Sequence, residues 1–154
     1  MEKIVNELNE FLADLNIFYR KLQNFHWNIQ GKEFFVLHAK LEEYYDDVNL
    51  QIDEIAEHIL MLGKEPLGTM KEYLEIGKIE ESTSIKVDEK IVMEKILKDY
   101  ETLLQKVICI KKEADNNHIY GTSALMDSYI LNYSKIIWML KQTMAKWELE
   151  DSAF

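Results

Sequence analysis

The histidines of this 154-residue chain are few enough to take one at a time: His26, His38, His58 and His118. Imidazole nitrogen combined with carboxylate oxygen suits Fe(II), Mn or Zn. The first question is whether any of the 28 Asp and Glu residues stands at ligand spacing from them. A helical bundle with an internal two-iron centre needs the Glu-x-x-His pattern twice. The residues three places before the histidines are Gln23, Phe35, Ile55 and Asp115, and none is Glu. That centre is disfavoured. Nucleophile arrangements of the Ser/His/Asp or Cys/His kind have no supporting motif, and there is no Gly-rich phosphate loop.

A different pattern runs through residues 38–57. His38 and Glu42 are four apart, as are Asp53 and Glu57. At about 100° per residue both pairs share one helix face, and the step from Glu42 to Asp53 returns to within ~20° of the same direction. At about 1.5 Å per residue the two pairs stand ~17–22 Å apart, too far for one metal on one helix. Two antiparallel copies packed about a two-fold axis between residues 47 and 48 remove the difficulty. His38 then faces the partner's Glu57, and Glu42 faces the partner's Asp53. One such isologous contact builds two equivalent sites. His26, just ahead of a loop, could supply a further nitrogen. Open positions and redox use favour iron among the candidate metals.

Each feature also has a plainer explanation. A histidine among aromatics, as in Asn24-Phe25-His26-Trp27, can be a satisfied core or interface residue. Asp53-x-x-x-Glu57 can be a solvated helix face. On the residues alone both explanations stand.

Elements to position these groups are legible in the apolar spacing. One helix is expected over about residues 2–25, through Leu8, Phe11, Leu15, Phe18 and Leu22. A second is expected over 34–62, ended by Gly63. A third covers about 88–114, and after Asn116-Asn117 and Gly121 a fourth runs to about Trp147, with Thr122 as its expected cap. The 25-residue connection 63–87 is long for a structureless loop. Within it Thr69-Met70-Lys71-Glu72 fits a capping box, so a short helix up to Gly77 is expected there. Four long helices with one long crossover describe an all-α, ferritin-like bundle, one domain over 1–154 without internal repeats.

Composition agrees with helices: one Pro and five Gly leave few breakers. With 18 Lys and Arg against 28 acids, the net charge of −10 opposes general phosphate binding, which needs clustered cations. Arg20 is the only arginine, so bidentate phosphate or guanine recognition is poorly supplied. An acidic surface attracts metal cations instead. Cys109, the only cysteine, lies in Val107-Ile108-Cys109-Ile110 and is expected as a small buried hydrophobe. No disulfide, signal peptide or membrane-spanning run is visible, which makes a reducing cytoplasm the expectation.

Taken together, Asn24-Phe25-His26-Trp27, Phe34-Phe35-x-Leu37-His38 with Glu42 and Tyr45, and Asp53-x-x-Ala56-Glu57 before Leu62-Gly63 resemble the Dps family, or mini-ferritins. The similarity continues through Pro66-x-x-Thr69-x-Lys71-Glu72-Tyr73-Leu74 and Ile137-Trp138-Met139-Leu140. The resemblance implies a hollow homo-dodecamer built from two-fold dimers. Such a shell binds Fe(II), oxidises it at inter-subunit centres with hydrogen peroxide in preference to oxygen, and stores ferric mineral against oxidative stress. It implies His26, His38 and Glu42 of one subunit facing Asp53 and Glu57 of its mate. Trp27 is similar to a tryptophan that donates an electron beside the centre, with interface packing as the plainer role.

This chain departs from the family pattern in places. His58 follows the motif Glu where Arg is common, and Ile136 stands where His often precedes Ile-Trp-Met. Of the acids lining the family's entry pore Asp115 matches, but Tyr120 and Ala124 do not; Glu113 and Asp127 are the shifted candidates. Family members that bind DNA use Lys/Arg-rich extensions. Here the helix starts by residue 4 and the C-terminal stretch 148–154 is acidic, so no direct DNA binding is expected. The alternatives are a DNA-compacting structural protein with a secondary iron site, or a helical interaction module that takes up no iron.

Overall fold

A computed structural model describes residues 1–152, and all their side chains except those of Glu148 and Asp151. Ala153 and Phe154, which end the acidic C-terminal stretch, lie outside the described residues. The chain forms α1 (Glu2–Asn28), β1 (Ile29–Gln30), α2 (Phe34–Met61), α3 (Met70–Ile76), β2 (Val87–Asp88), α4 (Glu89–Asn116) and α5 (Tyr120–Ser152). The four long helices pack as a ferritin-like bundle, with α1 against α2 and α4 against α5. Because apolar residues recur every three or four positions, each helix buries one stripe. Leu8, Phe11, Leu15, Phe18 and Leu22 of α1 meet Leu41, Val48 and Ile55 of α2, Ile96, Tyr100 and Leu103 of α4, and Met126 and Tyr133 of α5 in one core. Phe18 and Tyr100 meet edge to face at 4.9 Å.

The long crossover from α2 to α4 is tied down along α1. Gly63, at φ +79°, ends α2 in a left-handed turn that suits glycine. Its N–H donates to Leu60 O, and that of Lys64 to Ile59 O, the paired closure of a Schellman motif. The expected short helix is α3. Thr69 Oγ1 accepts from Glu72 N at 3.2 Å, and its hydroxyl donates to the Glu72 carboxylate at 2.6 Å.

Past α3, Asp14 Oδ1 accepts from the N–H groups of Lys78 at 2.6 Å and Ile79 at 3.0 Å. Burial outweighs these bonds and holds the Asp14 carboxyl above its ordinary value. Truncation by Asp14→Ala leaves both donors unpaired and is expected to cost about 2–3 kcal/mol. Asp14→Asn keeps the acceptor and should cost less, as equilibrium urea unfolding would measure.

Not foreseen from sequence is a two-residue parallel pairing of β1 with β2, Ile29 with Val87 and Gln30 with Asp88. It brings the starts of α2 and α4 to the same end of the bundle, so these helices run parallel, as one long crossover requires.

Three expectations need correction. Cys109 is exposed, not buried. The buried stripe of α4 passes through Leu103, Val107 and Ile110, and residue 109 falls outside it although its neighbours are apolar. Thr122 does not cap the last helix. That helix begins two residues earlier, at Tyr120, and Thr122 is buried within it. It also runs beyond Trp147, to Ser152.

Candidate metal centre

The turn between α1 and α2 sets the first half of the candidate centre. Gly31 has φ +153°, and a Cβ there would lie 2.2 Å from the Glu89 carboxyl group. Glycine leaves room for Glu89, a buried residue at the start of α4, whose Oε2 accepts from Glu33 N at 2.9 Å. Glu33 has no side-chain cap of its own, so this carboxylate serves the orphan N-terminus of α2.

Held this way, the end of α1 and the start of α2 bring two histidines face to face. The rings of His26 and His38 stack at 3.7 Å between centroids, 10° from parallel. His26 Nδ1 lies 2.6 Å from His38 O, and His38 Nδ1 lies 2.8 Å from His26 O. A carbonyl oxygen only accepts, so both Nδ1 atoms carry the proton. In the neutral imidazole that leaves each Nε2 with a free lone pair, the state a metal ligand requires. A backbone carbonyl on the other ring nitrogen is the usual means of orienting such a ligand.

Neighbouring side chains fix the pair further. Phe34 stacks on His38 at 4.8 Å, and Tyr45 meets the His26 ring at 5.4 Å and 80°. The Tyr45 hydroxyl donates to Glu42 Oε1 at 3.1 Å. Burial first, then the Glu42 carboxylate, holds this phenol above its ordinary value, so it remains a donor at neutral pH. His26, His38 and Glu42 are thus gathered at one end of α1 and α2. Sequence reasoning placed Tyr45 in the motif without a role, and missed two walls, Phe34 against His38 and Tyr19, whose ring meets that of Tyr45 at 5.9 Å.

Asp53 and Glu57 are elsewhere. They are exposed, further along the unbroken α2, and their side chains make no hydrogen bond or ion pair among the described residues. Asp46, Asn49 and Leu50 between the two halves are exposed as well, so the stripe deduced from spacing is an open face of the helix. Among the described residues no three His, Cys, Asp or Glu side chains come together to hold a metal. Trp27 follows His26 but turns outward, 55% exposed, with the Arg20 guanidinium 5.9 Å from its ring.

His58 lies on the inner side of α2, buried, its Nε2 2.8 Å from Thr122 Oγ1. Burial lowers its pKa, against the pull of Glu54. The acids considered for iron entry are all countered by lysines. Glu113 pairs with Lys3 at 3.0 Å, and Lys111 lies 2.9 Å from Asp127 and 3.8 Å from Asp115. His118 takes a left-handed backbone, φ 57°, in the turn before α5.

Residues 5–149 match the ferritin-like domain family. A curated relative, DNA protection during starvation protein 2 of Bacillus anthracis, is 41% identical over 91% of this chain and 95% of its own. The chain belongs to the Dps family. Among solved Dps structures, the protein from Vibrio cholerae O1 superposes with a TM-score of 0.89 at 41% identity, covering 93% of this chain and 89% of the other. It is described as a member of a broad superfamily of ferritin-like diiron-carboxylate proteins. Antigen TpF1 of Treponema pallidum superposes with a TM-score of 0.91 at 33% identity, covering 93% and 92%. Membership in Dps accounts for the bundle, the long crossover and its short helix. No described helix is long and apolar enough to cross a membrane.

Proposed function

We propose that this Dps protein is a cytoplasmic, single-domain iron-storing ferroxidase. Fe(II) is its substrate, bound at centres shared between two copies. The observation that carries this reading is the pair of cross-bonded histidines, His26 at the end of α1 and His38 on the same α2 stripe as Glu42, Asp53 and Glu57, with no partner at either Nε2 among the described residues. Two antiparallel α2 helices would bring His26, His38 and Glu42 of one copy to the partner's Asp53 and the partner's Glu57. Leu50, 70% exposed on that stripe, gives the contact an apolar centre. In the full shell, a homo-dodecamer of such dimers, Trp27 would stand beside the centre as an electron donor.

Imidazole and carboxylates together hold Fe(II) in an open N/O site. Two Fe(II) then give one electron each to hydrogen peroxide. With two protons this yields two Fe(III) and two water molecules, so no hydroxyl radical is released. Hydrolysis of Fe(III) frees protons and starts the mineral. Oxygen is the slower oxidant in this reading.

Fe(II) oxidation with peroxide or oxygen, followed by ferric absorbance, tests it. Wild-type protein should oxidise iron. His38→Ala should lose at least the 10–100-fold that even outer-shell changes cost metal sites. A size-exclusion mass near that of the monomer would contradict the shell. At a net charge of −10, the purified protein should not retard supercoiled plasmid at physiological salt. Retardation in a gel-shift assay would instead favour DNA compaction.

A further inference from the structure

The ligand set leaves Tyr45 without a function, yet its contacts join both helices of the centre. One turn past Glu42 on α2, its hydroxyl donates to Glu42 Oε1 at 3.1 Å. Its ring meets two residues of α1 edge to face, His26 at 5.4 Å and Tyr19 at 5.9 Å. Tyr19 is itself held, its hydroxyl accepting from Gln23 Nε2 at 3.2 Å. One phenol therefore links an imidazole from α1 to a carboxylate from α2, braced by an aromatic wall.

A free carboxylate can close on a metal through both oxygens and occupy two positions. When Oε1 is engaged by a phenol, Oε2 is the oxygen left for the metal. We propose that Tyr45 is a positioning residue of the metal centre, holding Glu42 to a single ligating oxygen and bracing the His26 ring. This rests on the metal-centre reading above and deepens it. The consequence is one coordination position kept open, which a site that must admit an oxidant needs and a purely structural site does not.

The full-length assembly titrated with Co(II), whose visible bands report coordination at N/O sites, provides the test. Tyr45→Phe keeps the ring against His26 and Tyr19 but frees Glu42. It should leave the thermal midpoint unchanged, raise the Co(II) dissociation constant about tenfold, as loss of an outer-shell partner does, and alter the bands as Glu42 becomes bidentate. Tyr45→Leu removes the brace too and should weaken binding further. His38→Ala, by losing the bands, assigns them to this site. If Tyr45→Phe keeps the wild-type bands and dissociation constant, the positioning role is wrong although the metal centre stands. If wild-type protein shows no such bands, the metal-centre reading falls and this inference with it.

Discussion

Asp53→Ala is expected to lower the initial rate of peroxide-driven Fe(II) oxidation by more than about 100-fold, beyond the usual cost of an outer-shell change. The loss should occur without unfolding. Asp53 is exposed and its side chain has no hydrogen bond or ion pair among the described residues, and surface changes of that kind usually stay within ~0.5 kcal/mol. Glu57→Ala should behave alike, for the same reason. A residue that supports nothing in its own chain yet abolishes activity acts on something outside that chain. Stopped-flow oxidation and thermal unfolding on the same samples separate the two effects. Wild-type rates in Asp53→Ala would remove the far half of the centre.

The second large effect concerns stability. Lys21 of α1 and Asp99 of α4 form an ion pair at 2.7 Å, with side chains only 7% and 9% exposed. Lys21→Met leaves the carboxylate uncompensated between two helices, at an expected cost of about 3–5 kcal/mol near neutral pH. Even with Lys21 present, burial outweighs the pair and holds the Asp99 carboxyl above its ordinary 3.8. A carboxyl raised by folding binds its proton more tightly in the native than in the unfolded chain. Stability therefore falls as pH rises from the unfolded value through the folded one. Without Lys21 that window extends upward, so the loss should be largest at pH 7 and shrink towards pH 4. Lys21→Met with Asp99→Leu should recover most of it, because a buried pair replaced by hydrocarbon is often neutral or better. Urea unfolding at both pH values, over the full double-mutant cycle, reads this directly.

The long helices were legible because their apolar residues recur with the helical period, and α3 because Thr69 and Glu72 stand at capping distance. The α2 stripe was legible for the same reason: it depends only on spacing along one continuous helix. What depends on contacts between elements was not. The cross-bonding of His26 and His38 is set by the turn after Asn28, by Gly31 and by Glu89 from the far end of the crossover. No local pattern encodes that meeting. The parallel β1–β2 contact joins segments nearly sixty residues apart. Cys109 is exposed despite its apolar neighbours because consecutive helical residues point about 100° apart, so an apolar run on a helix is not one buried surface. The pairings of Lys3 with Glu113 and of Lys111 with Asp127 were likewise invisible, since they join separate helices, whereas Lys111 and Asp115 stand four apart on α4 at a spacing the sequence displays.

The twofold sharing of ligands is tested most directly by mixing two inactive variants. One carries His38→Ala with Glu42→Ala, the other Asp53→Ala with Glu57→Ala. Unfolded together in equal amounts and reassembled, half of the dimers should hold one of each. In those dimers the intact near half of one subunit meets the intact far half of the other, so about a quarter of all sites is whole. Recovery of about a quarter of the wild-type Fe(II) oxidation rate, from two variants each inactive alone, is the predicted result. If the mixture is as inactive as its parents, although mass analysis shows mixed assemblies, the centre is not shared across α2.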